Sequence, residues 1–205
     1  MSSSQYTETE IKLYVPHLET VAQQLEVLGA KLIAPRIYEH NVRYEDADHS
    51  LTARHIVLRL RQDTRVRLTY KEPPAHIEDE DIPNRFEAEV EVSDFEAMDT
   101  ILRKLGFTPS MIYEKYRTTY HLGGVEVVLD EMPYGNFVEI EGRAEEIRQA
   151  VEQLNLSDAP RLSTNYIGLF DNVCRNLKLE TRDLTFAAFQ DVGVSFEAFA
   201  QPNSD

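Results

Sequence analysis

Apolar and polar residues alternate over positions 8–15, the period of a half-buried strand. After Pro16 the period lengthens, and Leu18, Val21, Leu25 and Leu28 recur at helical spacing until Gly29 closes the element. The succession then returns. Positions 86–92 alternate, Ser93 and Glu96 read as a capping box, Met98, Ile101, Leu102 and Leu105 form an apolar helical face, and Gly106 ends it. The first stretch runs Glu8-x-Glu10, helix, Leu28-Gly29, Ile37-Tyr38-Glu39, Tyr44. The second runs Glu87-x-Glu89, helix, Leu105-Gly106, Ile112-Tyr113-Glu114, Tyr120. Each copy continues into a hairpin, 56–61 with 67–71 in the first and 125–131 with 138–141 in the second.

Two β-α-β-β-β repeats joined mostly by hairpins predict the α+β class, with an eight-stranded antiparallel β-barrel flanked by helices. Two packed four-stranded sheets are the alternative, but they would need apolar rather than charged facing sides. Beyond Gly142 the period is helical. Ile147, Val151 and Leu154 mark one helix over 145–154, and Ile167, Phe170, Cys174 and Leu177 mark another over 164–177. These are expected outside the barrel or across one mouth. Residues 1–180 thus form one domain, residues 181–205 are a tail with no element assigned, and the acidic stretch 76–84 reads as a solvated connection.

Length and composition narrow the class. A chain of 205 residues, 42% hydrophobic and 28% charged, suits one soluble domain, and no apolar run is long enough for a membrane-spanning helix. The polar start lacks a signal segment, so a cytoplasmic protein is expected. A net charge of -15 argues against a nucleic-acid duplex as partner. The single cysteine, Cys174, cannot form an internal disulfide and reads as a core residue. None of the six histidines stands beside a plausible serine or cysteine nucleophile in sequence, and all read as surface or loop residues. No glycine-rich phosphate loop precedes a helix.

The charged residues carry more information through their parity. Residues two apart on a strand share a face, which groups Glu8, Glu10 and Lys12; Arg59 and Arg61; Arg67, Thr69 and Lys71; Arg85, Glu87 and Glu89; Lys115 and Arg117; and Glu139 and Glu141, with Asp130 on the preceding strand. One such row is ordinarily the wet face of a sheet. Here the opposite faces read Ile11 and Leu13, Leu58 and Leu60, Leu68 and Tyr70, and Val138 and Ile140, which suit packing beneath helices. The charged rows must then face inward, where they have to be wet, paired or bound to something. Carboxylates without His or Cys suit a hard cation such as Mg²⁺ or Mn²⁺, and converging Lys and Arg suit a compact polyanion.

The series Glu8-Thr9-Glu10-Ile11-Lys12, Leu58-Arg59-Leu60-Arg61, Leu68-Thr69-Tyr70-Lys71, Arg85-x-Glu87-x-Glu89, Lys115-x-Arg117, Leu129-Asp130 and Gly135-x-Phe137-Val138-Glu139-Ile140-Glu141 resembles the CYTH superfamily of triphosphate tunnel metalloenzymes. That family includes class IV adenylyl cyclases, thiamine triphosphatases and inorganic tripolyphosphatases. The likeness covers about the first 142 residues, and Asn165-Tyr166 to Leu169 is similar to the family's C-terminal helix. The strand bearing Asn41, Arg43 and Tyr44 departs from the family, which often has an Asp and paired tyrosines there.

The resemblance implies metal-binding acids at Glu8, Glu10, Asp130, Glu139 and Glu141. It implies phosphate-binding bases at Lys12, Arg59, Arg61, Lys71, Arg85, Lys115 and Arg117. Glu87 and Glu89 match acids that order the bases or hold a second cation, and Arg67 adds a phosphate contact or sits at the rim. The group expected to act in catalysis is Glu8, Glu10, Lys71, Glu139 and Glu141. The expected activity is Mg²⁺- or Mn²⁺-dependent hydrolysis of a small-molecule triphosphate. The alternatives are cyclisation of ATP to cyclic AMP and pyrophosphate, and a polyphosphate- or nucleotide-binding module without turnover. A homodimer is compatible with all three.

Overall fold

The computed structural model of the chain describes residues 7–73 and 84–201, with side chains placed for 9–73 and 86–201. The strands are β1 (Thr7–Tyr14), β2 (Lys31–Glu45), β3 (Val57–Gln62), β4 (Val66–Glu72), β5 (Asn84–Val92), β6 (Thr108–Leu122), β7 (Val125–Met132) and β8 (Gly135–Glu141). All neighbours are antiparallel, and they close into a barrel in the order β1-β5-β4-β3-β2-β6-β7-β8. The expected eight-stranded barrel is therefore present, and its order shows how the repeats interlock. The first strand of each copy pairs with the last strand of the other, β1 with β8 and β5 with β4. Neither copy can complete its own half of the wall.

The alternation of the strands sets what each face meets. On the outside, Ile11, Leu13, Val127, Leu129, Val138 and Ile140 are buried with residues of α1 (Leu18–Val27) and α4 (Ala144–Gln153). Val42, Tyr44 and Leu60 are buried with Leu102 of α3 (Phe95–Lys104). The cap of α3 differs from expectation. Its N-cap is Asp94, whose carboxylate accepts from the Ala97 amide, so the helix starts one residue later than a Ser93 cap would give. Of its expected apolar face, Ile101 and Leu105 are turned to solvent, at 49% and 69% exposure, and Leu102 is the buried contact. A one-turn helix, α2 (Ser50–Ala53), follows β2, with the buried Glu45 carboxylate accepting from the Leu51 and Thr52 amides. Among the described residues no helix is long and apolar enough to cross a membrane.

At the end of the barrel where β7 turns into β8, the interior is apolar. Tyr134 and Phe137 meet edge to face at 5.5 Å, Phe137 meets Tyr166 of α5 (Tyr166–Leu177) at 5.2 Å, and Phe199 packs on both Tyr134 and Phe137. The helix begins at Tyr166, with Asn165 accepting from the Ile167 and Gly168 amides. It buries Leu169 and Val173, while Leu177 of the expected face is 38% exposed. The acidic stretch 76–84 lies outside the described residues except for Asn84, which starts β5.

The tail, to which the sequence assigned no element, is part of this plug. Two strand edges run out of partners here: β5 begins opposite Thr9, and β7 stops pairing with β6 at Tyr116. Bare edges leave unsatisfied amides and carbonyls. Along β1 the gap is filled by residues 160–162, through Tyr14 N–H to Pro160 O and Leu162 N–H to Lys12 O. Along β6 it is filled by Leu184, which donates to Ile112 O and accepts from the Glu114 amide, while the Asp183 carboxylate accepts from the Ile112 amide. Leu184 is fully buried. Leu184→Ala should therefore cost about 2–5 kcal/mol, read as a lower urea midpoint. An unchanged midpoint would mean that the tail is dispensable to the barrel.

Candidate functional site

The inner faces of the strands enclose a cavity of about 380 Å³. Of the residues expected inside, Glu10, Lys12, Arg59, Arg61, Lys71, Glu87, Glu89, Lys115, Arg117, Glu139 and Glu141 line it. Asp130 does not reach the lining. Glu8 and Arg85 face each other in the β1–β5 register, but their side chains lie outside the described residues. The wall β2–β5 contributes Arg43, Arg59, Arg61, Arg67 and Lys71, and the wall formed by β1 and β6–β8 contributes Glu10, Glu126, Glu139 and Glu141. The repeats thus supply opposite excesses of charge to opposite sides, although each wall keeps some of the other sign.

On the acidic side, position fixes two different kinds of carboxylate. Glu10, Glu141 and Glu126 share one rung, Glu141 being the register partner of both others. One step along, Glu139 stands opposite Lys12 and pairs with it, and its other oxygen takes Arg117 at 2.5 Å. Burial acts to raise the Glu139 pKa, but Lys12, Arg117 and Lys115 outweigh it and hold the carboxyl well below its ordinary range. Asp130 is deeper still, at 0% exposure, and accepts from Arg117 at 2.6 and 2.5 Å, Lys115 at 3.0 Å and the Tyr166 hydroxyl at 2.7 Å. Expected among the metal acids, Asp130 is occupied here as the anchor of two bases. Lys12 and Lys115 also lie 4.2 and 5.4 Å from the centre of the Tyr166 ring.

The basic side is only partly neutralised. Arg59 Nη1 donates to the Tyr113 hydroxyl and its Nη2 to Thr69, Arg61 lies 3.5 Å from Glu39, and Arg67 pairs with Asp63. The Nε–H groups of Arg59, Arg61 and Arg67 are buried and lack a hydrogen-bond partner among the described residues. Burial and the neighbouring Arg59 charge hold the Arg61 pKa below its ordinary value, with Glu39 and Glu89 offsetting them only in part. Burial likewise acts to raise the Tyr113 phenol, yet Arg59 and Lys115 bring it below its ordinary value. The Tyr113 shift, which runs against burial, reports a local excess of positive charge, whereas that of Arg61 is set first by burial. Lys71 pairs with Glu87 at 2.7 Å.

Several lining or supporting residues were not singled out as site residues from the sequence. Glu126 shares the parity of Asp130 on β7, and Tyr113 that of Lys115 and Arg117 on β6, so the same alternation reaches both. Glu39 and Asn41 share the parity of Arg43 on β2, where departure from the family pattern hides them. Glu39 is 3% exposed and bridges the walls, lying 3.5 Å from Arg61 and 3.6 Å from Lys115. Asn41 is fully buried, with both amide atoms unpartnered. Tyr166 enters from a helix, where strand parity gives no signal.

The CYTH domain profile matches residues 6–165. The chain belongs to the CYTH family. A Methanocaldococcus jannaschii protein named "Putative adenylate cyclase" is 29% identical over 183 residues, 86% of this chain and 99% of its own. Among solved structures, a "putative adenylate cyclase" from Vibrio parahaemolyticus superposes with a TM-score of 0.71 at 18% identity, covering 81% of this chain and 98% of that one. The PH1012 protein of Pyrococcus horikoshii gives 0.65 at 26%, covering 78% and 97%. A "putative adenylyl cyclase" from Hippeastrum, described as having a dominant triphosphatase activity, gives 0.61 at 20%, covering 80% and 95%.

The donor chemistry of this CYTH chain fits a hard divalent ion. Glu10, Glu126 and Glu141 are cavity-lining carboxylates on one rung, with no thiolate or imidazole in the lining among the described residues. Among the described residues no three acids already converge as a cage. That is compatible with Mg²⁺, which commonly takes one or two carboxylates and completes its shell with water and substrate oxygens.

The buried Glu39 gives the barrel a pH signature. Burial acts to raise its pKa, but Lys115, Arg117, Arg61 and Arg59 prevail and lower it from 4.5 to about 2. The folded value is depressed, so this contribution is complete above about 4.5 and is lost as pH falls toward about 2. Glu39→Gln should destabilise the protein at pH 7 by about 3 kcal/mol or less and flatten the fall in stability between pH 5 and pH 2. Urea titrations at several pH values check this. An unchanged acid slope would count against Glu39 as a charged bridge.

Proposed function

We propose that this CYTH chain is a metal-dependent triphosphatase that hydrolyses the terminal phosphate of a triphosphate held in the barrel. The observation that carries this reading is the set of three arginines, Arg59, Arg61 and Arg67, each with a buried and unpartnered Nε–H, lining one cavity together with a rung of carboxylates. Unsatisfied buried donors are costly, and a chain of phosphate oxygens would satisfy several guanidiniums at once. In this reading Arg59, Arg61, Arg67 and Lys71 bind and orient the phosphates, and Lys12, Lys115 and Arg117 neutralise charge on the other side. Glu10, Glu126 and Glu141 would hold Mg²⁺ or Mn²⁺. The ion supplies charge neutralisation at phosphate oxygens and a more acidic bound water. Attack of water oxygen on the terminal phosphorus breaks its bond to the bridging oxygen, releasing phosphate and the shortened polyphosphate. The protein's part is mostly positioning and electrostatics, as in other phosphoryl transfers.

The names of the relatives favour a second reading, cyclisation of ATP with loss of pyrophosphate. That reaction needs a surface for the adenine. Among the described residues the aromatic side chains of the cavity are Tyr113 and Tyr166, and both are engaged with cations: Tyr113 accepts from Arg59, and Lys12 lies over the Tyr166 ring. Binding energy should therefore come from the phosphates. The protein should be incubated with tripolyphosphate, ATP and thiamine triphosphate, each with Mg²⁺ and Mn²⁺, and the products separated by chromatography. Terminal-phosphate release is expected, abolished by EDTA and by Glu141→Ala. Arg61→Ala should weaken triphosphate binding roughly tenfold to a hundredfold. Stoichiometric cyclic AMP and pyrophosphate from ATP, with tripolyphosphate intact, would replace this reading with the cyclase.

A further inference from the structure

Glu89 occupies the place where the basic wall is most accessible. It stands opposite Thr69 in the β4–β5 register, and Thr69 stands opposite Arg59. One carboxylate oxygen accepts from the Thr69 hydroxyl at 2.8 Å and from Arg61 at 3.1 Å, and lies 3.6 Å from Arg59; the other accepts from Arg67 at 3.5 Å. Three guanidiniums and a hydroxyl therefore converge on one carboxylate. Its side chain is 28% exposed, against 12% for Arg59, 9% for Arg61 and 17% for Arg67. The acids behind the arginines are more deeply placed, Glu39 at 4% and Asp63 at 5%. Glu89 is thus the cavity-side cover of the cluster, and Glu39 and Asp63 are its backing.

We infer that Glu89 is a displaceable counter-ion that stands in for a phosphoryl group and sets a charge threshold for ligands of the arginine cluster. The inference rests on the reading of the cavity as a polyphosphate site and adds what selects among anions there. An incoming anion must take the guanidiniums from a carboxylate that already holds them. Glu89 does so incompletely, because its two oxygens leave the three Nε–H donors unpartnered. A phosphoryl group brings three acceptor oxygens and more charge, so it can displace Glu89, whereas a singly charged anion gains little by doing so. A chain of phosphates also reaches beyond the cluster to Lys71 and the opposite wall, which a single phosphate cannot. Glu89 thus offsets part of the arginine charge and excludes weak anions from the cluster.

The test is calorimetric titration of wild type, Glu89→Gln and Glu89→Asp with tripolyphosphate, pyrophosphate and inorganic phosphate, without divalent metal. Glu89→Gln should bind tripolyphosphate roughly tenfold or more tightly than wild type, and phosphate more strongly still in proportion, so that the preference for three phosphates over one shrinks. Glu89→Asp keeps the charge on a shorter stem and should lie between the two; it also serves if the neutral variant does not fold. Unchanged or weaker binding in the variants would overturn the inference and make Glu89 an organiser of the arginines. Failure of wild type to bind tripolyphosphate even after Mg²⁺ is added would instead overturn the triphosphatase reading, and the gain of phosphate binding in the variants would still report the counter-ion.

Discussion

Charges that leave water have to be neutralised where they stand, and the interior of this barrel is built around that requirement. An isolated buried ion costs several kcal/mol, more than any single pair reliably returns. The molecule meets the cost with networks rather than pairs. Asp130 anchors Arg117, Lys115 and Tyr166, Glu139 joins Lys12 to Arg117, and Glu39 ties Lys115 to Arg61 across the β2–β6 seam. Everything outside follows from it. Since the inner faces are given over to charge, the apolar core must lie between barrel and helices, and the open end must be stopped by an aromatic plug.

The interlocked repeats make that arrangement consistent. Each copy lends its first strand to the other half, so the barrel cannot open along the join between copies without exposing the edges of both. The same exchange carries Glu10 and Lys12 of the first copy to the acidic wall, beside Glu139 and Glu141 of the second. It carries Glu87 and Glu89 of the second to the basic wall, beside Lys71 and Thr69 of the first. The basic wall therefore takes its minority of opposite charge from the other repeat, whereas the acidic wall takes Lys12 from the other repeat and Lys115 and Arg117 from its own. That minority keeps an excess of one sign from destabilising the barrel.

Much of this was legible in the sequence because strand alternation is local. The period of two placed Arg59, Arg61, Lys71, Glu139 and Glu141 on one side and Leu60, Val138 and Ile140 on the other without knowledge of the partner strands. What depends on distant partners was not legible. Asp130 has the right residue type and parity for a metal acid, but whether its oxygens face a cavity or are used by Arg117, Lys115 and Tyr166 depends on residues 13–36 positions away. The tail has no period because its hydrogen bonds follow the bare edge of β6, so Leu184 carries no signal until that edge is known. The cap of α3 was misplaced by one residue because Ser93 and Asp94 are both good caps, and only Asp94 has its side chain on the Ala97 amide.

The networks also separate stability from binding. Asp130 and Glu39 are too deep to leave their partners without abandoning buried bases, so they belong to the fold in every state. Glu139 is in between, since its two oxygens are divided between Lys12 and Arg117 and it still lines the cavity. Any ligand that draws Lys12 or Arg117 forward must leave Glu139 less neutralised, and a cation on the adjacent rung of Glu10 and Glu141 would restore the balance. Anion and cation then bind better together than apart, because each supplies the counter-charge that the other displaces. On the proposed reading, metal and triphosphate would be coupled by charge balance within a closed wall, without any requirement that the barrel change its shape.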